Sequence, residues 1–149
     1  MTKRTFLFAI LIAVLLPATS TRTSAQNREM VADVPFNFTV CTQTMPAGKY
    51  KVRPMTSATT NLLLVRSEDG QFAEITCTRD VQGSKRASEG KLIFNRYGNQ
   101  YFLTELWFSG DLTGNQVLKS EREEALIREL PPKTKRGRVT VRVTEAKPN

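Results

Sequence analysis

Three groups of side chains have the types and spacing to do chemistry. The first is Ser88-Glu89-Gly90-Lys91, which matches the Ser-x-x-Lys of serine acyltransferases that act on β-lactams. That chemistry sets the serine at the start of a helix so that the lysine sits one turn on. Here the pair falls in a polar loop running into a strand, and Lys133-Thr134-Lys135 is not the Lys-Thr-Gly partner. The match is one of chance. The second group is the carboxylates, since a glycosidase needs only two of them about 5–10 Å apart. Most acids fall at a turn (Glu68, Asp69), on a helix surface (Glu121, Glu123, Glu124) or alternate outward (Glu74). Glu105 is the exception. It interrupts the face of Tyr101, Leu103 and Trp107, either as a half-buried acid beside an aromatic or as the partner of a cross-strand arginine such as Arg96. Ion pairs place carboxylates this way in ordinary structures, and the salt bridge is the simpler reading.

The third group is Cys41 and Cys77, 36 residues apart. Cys77 shares a period-two face with Ala73 and Ile75 and is expected to look inward. Cys41 is out of phase with its strand but stands at its end, where a turn can re-aim it. A single disulfide is expected, with two free thiols as the alternative. Histidine is absent from all 149 residues. That removes Ser-His-Asp and Cys-His nucleophile activation, imidazole metal ligation and imidazole proton transfer near neutral pH. No residue is assigned a catalytic role, and neither a cofactor nor a metal is expected.

Two sets of residues suit binding instead. Tyr97, Tyr101 and Trp107, with Glu105, are candidates for a sugar- or ligand-binding surface, against the simpler role of core packing. Lys133, Lys135, Arg136, Arg138 and Arg142 form the densest run of charge. They suit an anionic polymer or leaflet, against the reading of a solvated linker entering an edge strand. Asn37-Phe38-Thr39 matches a glycosylation sequon but sits within a strand.

The compartment sets the partners such residues can meet. Lys3 and Arg4 precede an apolar run at 6–16, Pro17 ends it, and Thr23-Ser24-Ala25 supplies small residues for cleavage before Gln26. This reads as a secretory signal peptide over 1–25. Eleven apolar residues span only about half of a ~30 Å hydrocarbon core, so an uncleaved anchor is the weaker reading. Cleavage leaves 124 residues, enough for one domain. It also takes away Lys3, Arg4 and Arg22, so 19 cations stand against 14 acids and the net charge falls from +8 to +5. The mature protein is expected to be secreted or periplasmic. An excess of this size favours an anionic envelope polymer or a protein partner. Nucleic acid and a transmembrane span are not expected.

The elements that would position these residues follow from hydropathy. Val34, Phe36, Phe38 and Val40 alternate with polar residues and Pro35, which predicts a strand beginning near the proline or lying at an edge. A turn at 45–48 leads into Tyr50 and Val52, whose alternation with Lys49, Lys51 and Arg53 closes a first hairpin. The apolar run at 62–65 predicts a strand covered on both faces, and Asp69-Gly70 a two-residue hairpin turn before a return strand over 72–78. Residues 82–90 predict a mobile loop. Strands over 91–96 and 100–108 flank Gly98-Asn99, the second of them apolar on both sides. Ser120 to Glu123 is a capping box in which Glu123 reaches back to the cap, opening a helix over roughly 120–130 with a stripe of Leu126, Ile127 and Leu130. Pro131-Pro132 stops it.

The phrases Val34-Pro35-Phe36-Asn37-Phe38-Thr39-Val40, Pro46-Ala47-Gly48-Lys49-Tyr50, Arg96-Tyr97-Gly98 and Tyr101-Phe102-Leu103, with the hairpin at 62–70 and the helix after Leu118-Lys119-Ser120, resemble a family of small secreted proteins of soil bacteria. The resemblance covers roughly residues 30–130. It implies an exported β domain and no catalytic residues. The fold class expected is mainly β: one antiparallel β-sandwich or partly closed β-barrel of six to seven strands, with one C-terminal α-helix packed on it. Residues 26–132 form this domain, and 133–149 a basic tail with a final strand over 138–144. The function expected is an exported, non-enzymatic module that binds an envelope component, an anionic polymer or a protein partner. The alternatives are a barrel carrying a small apolar ligand and, after it, a carboxylate-based hydrolase.

Overall fold

The computed structural model describes residues 28–57 and 60–145, so the expected leader lies outside the described residues. Ten strands and one helix are described: β1 (Met30–Val34), β2 (Phe38–Val40), β3 (Gln43–Met45), β4 (Gly48–Ser57), β5 (Thr60–Ser67), β6 (Ala73–Gln82), β7 (Lys91–Tyr97), β8 (Gln100–Trp107), β9 (Thr113–Val117), α1 (Glu121–Glu129) and β10 (Arg136–Glu145). Eight of the strands close into a ring, β1-β4-β5-β6-β9-β8-β7-β10, each antiparallel to its neighbours. The fold is therefore a closed barrel with more strands than the six or seven expected. Hydropathy misses β9 because its sequence, Thr-Gly-Asn-Gln-Val, carries no apolar alternation.

Pro35 ends β1 rather than beginning a strand, because it has no N–H to extend the ladder. The chain leaves the ring there and returns as β2, which meets β8 in parallel at Thr39 and Phe102 and turns through Cys41-Thr42 into β3. This hairpin closes one end of the barrel. Phe38 packs edge-on against Tyr50 and Phe94, with ring centroids 4.9 and 5.3 Å apart, and Phe36 stacks on Tyr101 at 4.0 Å. At the other end Arg28 pairs with Asp111 at 2.6 Å and lies over the Phe108 ring. Between the two ends Met30, Val52, Leu63, Val65, Leu92, Phe94 and Leu106 are all but fully buried. An eight-stranded barrel is just wide enough for its own side chains or one small ligand, and here large side chains fill it.

The final strand expected over 138–144 is β10, Arg136–Glu145, and it belongs to the barrel. β10 is hydrogen-bonded to β7 on one side and β1 on the other, with Val139, Val141 and Val143 half-buried on its inner side. It is the strand that closes the ring, so it has no edge for cations to protect.

The hairpin of β5 and β6 departs most from its alternation. Its loop is longer than a two-residue turn: Ser67 N–H donates to Phe72 O at 2.8 Å and Gly70 N–H to Ser67 O at 3.0 Å, while Gly70 alone takes a positive φ, +75°. That loop puts Phe72 on the inner side, and Glu74, Thr76 and Thr78 follow in phase. A one-residue change of phase exchanges every side chain between faces. Ala73, Ile75 and Cys77, expected inside, therefore point outward, and Ile75 is 53% exposed. Likewise the 62–65 run is covered on one face only: Leu63 and Val65 are buried, whereas Leu62 and Leu64 are half-exposed. The two cysteines are free thiols, Cys41 in the β2–β3 turn and Cys77 exposed on the outside of β6. The expected disulfide is absent because the phase of β6 turns Cys77 away from the interior.

Candidate functional site

The aromatic and acidic candidates of β7 and β8 separate into three settings. Tyr101 belongs to the end plug, stacked on Phe36 with the Arg96 guanidinium 5.5 Å from its ring. Arg96 donates to Gly98 O at 2.7 Å rather than pairing with Glu105. Tyr97 lies outside the barrel beneath α1. Its hydroxyl donates to Glu123 Oε1 at 2.9 Å, and Asn95 donates to the same oxygen at 3.0 Å. Burial, and then Glu123, pushes the Tyr97 hydroxyl up to about 12. Glu123 is 4% exposed and is the one buried residue of the helix. Ser120 does cap α1, its Oγ accepting from Glu123 N–H at 3.2 Å. The Glu123 carboxylate, however, turns to the sheet and not back to the cap. The helix is moored by a buried acid more than by Leu126, Ile127 and Leu130, which stay half-exposed.

Glu105 and Trp107 form the third setting. The bulge at Thr104 shifts the pairing of β8 with β7 between Ile93 and Phe94, so Glu105 and Trp107 both come to the outer side. Glu105 accepts from Trp107 Nε1 at 2.8 Å through one oxygen and from Arg138 through the other. Both oxygens are thus engaged, and the salt bridge runs to β10 rather than to Arg96. The indole is held flat across β9. A Cβ at Gly114 would stand 2.6 Å from Trp107 Cδ2, so only glycine lets the ring lie there.

Trp107 is 8% exposed and forms the apolar wall of a cleft of about 290 Å³. The rest of the lining is residues 83–88 and Lys91, which bring Lys85, Arg86, Lys91, Ser84 and Ser88 together with no carboxylate among them. The loop expected to be mobile is tied down. Gly83 N–H donates to Leu112 O, Ala87 N–H to Asp111 O and Gly110 N–H to Ala87 O, at 2.8–2.9 Å. Arg86 also donates to Gly110 O at 2.9 Å. Lys91 Nζ stands 5.8 Å from the indole centroid, and Lys91 lies directly opposite Arg142 of β10. Ser88 and Lys91 share this cleft, yet neither is on a helix, and no base stands over the serine.

The basic run of 133–142 is divided. Arg138 is bound to Glu105, Arg142 to Glu89 at 2.9 Å, and Arg136 faces Tyr97 across the β10–β7 ladder. Lys133 and Lys135 precede β10 and are exposed. The cations that converge on the cleft are those of the 83–91 loop. Hydropathy passes over them because a polar loop between two glycines reads the same whether it is loose or pinned.

A second cleft, about 370 Å³, lies at the plugged end between residues 46–50 and 67–72. Several of its polar groups already bond within the chain. The Tyr50 hydroxyl donates to Pro46 O at 2.6 Å, and Asp69 Oδ1 accepts from Ser67 Oγ and Gln71 N–H. The Ser67 hydroxyl, with Gln71 N–H, holds the Asp69 carboxyl below the usual range, while burial and Asp69 raise the Tyr50 hydroxyl. Among the described residues no group of His, Cys, Asp and Glu could hold a metal ion, and no helix is long and apolar enough to cross a membrane. Compared with known proteins, the chain matches no family model, no curated protein and no solved structure.

Proposed function

We propose that this protein is an exported, non-enzymatic binding module whose ligand is an anionic polymer of the cell envelope, held at the Trp107 cleft. The observation that carries this reading is the lining of the cleft. Lys85, Arg86 and Lys91 converge beside an indole with no acid to neutralise them. A row of carboxylates on a polyuronate, or of sulfates, meets three donors there, and a sugar ring meets the apolar wall. The leader and the net charge of +5 after its removal agree with an anionic partner outside the cytoplasm. The filled interior speaks against a carrier of apolar ligands. Both oxygens of Glu105 are bound, which speaks against a hydrolase that would use it.

The chain contains one tryptophan, so its fluorescence reports on this cleft directly. Titration with polygalacturonate is expected to change the emission saturably, and rising salt is expected to weaken the binding. Lys85→Gln and Arg86→Gln should each lower the affinity about tenfold, the cost of one hydrogen bond to a charged group. Emission that does not respond, or an affinity that both variants leave unchanged, would exclude this site.

A further inference from the structure

We infer that the outer face of β4, β5 and β6 is a docking surface for an anionic phospholipid bilayer, separate from the Trp107 cleft. The registers place Lys49, Lys51, Arg53 and Met55 of β4, Leu62, Leu64 and Arg66 of β5, and Ala73, Ile75, Cys77 and Arg79 of β6 on one outer face. None of these positions is an acid. Lys51 stands directly opposite Arg66, an arrangement of like charges that destabilises a sheet unless an anion lies between them. Among the described residues Lys51 reaches Glu29 only at 3.9 Å, Arg79 bonds the neutral Gln116, and Arg53 and Arg66 have no carboxylate within salt-bridge distance.

The centre of the face is apolar. Leu62 and Leu64 are half-exposed and lie opposite Cys77 and Ile75, and Leu118, joined to β6 through its N–H on Cys77 O, is 48% exposed. Folding stability does not explain this, because the same strand turns threonines inward and leaves the buried Thr78 hydroxyl without a hydrogen-bond partner. A contiguous exposed apolar patch rimmed by charge marks an interaction surface.

The chemistry selects the occupant. The strands of this face are interior to a closed ring, so a partner cannot add a strand and must meet the side chains. A second copy of the face would set Lys51, Arg53 and Arg66 against their own kind. An anionic leaflet complements both parts: apolar side chains enter between headgroups while arginine and lysine stems lie along them and keep their charges at the phosphates.

The test uses residues 26–149, which contain all ten strands, and sedimentation with vesicles of phosphatidylcholine alone or mixed with phosphatidylglycerol. Binding is expected only to the anionic vesicles. It should weaken about fivefold for each of Arg53→Gln and Arg66→Gln, and Ile75→Asp should abolish it with the melting temperature retained. Alkylation of Cys77 should slow when vesicles are bound, because the thiol lies within the face. Lys85→Gln, at an exposed position outside this face, should bind vesicles as the parent does, so that failure of the polymer reading leaves this one standing. Equal binding to neutral vesicles would overturn the proposal. So would anionic binding that Arg66→Gln and Ile75→Asp leave unchanged, or a dimer that Ile75→Asp dissociates.

Discussion

The sides of the barrel centred on β5 and on β7 lie four strands apart in a ring of eight, and they treat charge in opposite ways. Around β7 the two buried carboxylates are matched, Glu105 with Arg138 and Glu123 with the donors of Tyr97 and Asn95, and the exposed Glu89 pairs with Arg142. A helix is attached to that side through Glu123, and a pinned loop lies beside Trp107. Around β5, among the described residues, Arg53 and Arg66 have apolar neighbours and no carboxylate within salt-bridge distance, Lys51 reaches Glu29 only at 3.9 Å, and Asp33 lies opposite Lys49. One side spends its polar groups on its own structure. The other leaves Lys49, Lys51, Arg66 and Arg79 exposed to solvent.

This contrast makes quantitative claims. The largest effect belongs to β10. A chain ending at Pro132 loses the strand between β7 and β1, exposes two long edges and is expected to show no cooperative thermal transition in near-ultraviolet circular dichroism. Next, Glu123→Ala strips the acceptor from the buried Tyr97 hydroxyl and the half-buried Asn95 amide and should cost about 2 kcal/mol in denaturant unfolding. Glu123→Gln, which keeps a carbonyl oxygen there, should cost less. On the β5 side Ile75→Thr should stay within about 0.5 kcal/mol of the parent. Equal losses on the two sides would erase the distinction drawn between them.

The Tyr97 hydroxyl sharpens the same point through pH. Its folded value of about 12 lies above the ordinary value of 10, so between these the unfolded chain gives up a proton that the folded chain keeps. The stabilisation is therefore whole below pH 10 and lost as pH rises to 12, at no more than about 1.4 kcal/mol per pH unit. Tyr50, also raised, acts in the same direction. Absorbance at 295 nm should show Tyr97 ionising late, and Tyr97→Phe should flatten the decline in unfolding midpoint. The smallest effect is at Cys41, whose φ of +53° is unusual for a residue with a side chain. Cys41→Gly relieves that strain but loosens the unfolded chain, for a net gain of about 0.5 kcal/mol. Without reductant both thiols should react with Ellman's reagent, Cys77 first.

Features governed by near neighbours were legible before the structure. Gly98-Asn99 joins β7 and β8 with a positive φ at Gly98, Ser120 caps α1, and Tyr50 and Val52 point inward. Features set by distant partners were not. Glu123 looked like the second half of a capping box because its three-residue spacing from Ser120 is all that a sequence displays, whereas Tyr97 and Asn95 come to it from β7. The cleft was half legible. Trp107 stood out as an aromatic, but Lys85 and Arg86 gained meaning only when the 108–112 segment tied their loop down over the indole.

By itself the sequence determined the missing imidazole chemistry, the excess of positive charge and the period-two segments that had to become strands. These depend on composition and on contacts a few residues apart. Tertiary structure decided that the strands close into a ring, that residues 136–145 complete it and that Ile75 and Cys77 face outward. Alternation defines two faces of a strand but is symmetric between them. The loop at 68–71 and the register with β5 and β9 broke that symmetry, and those partners are chosen by packing across the whole barrel.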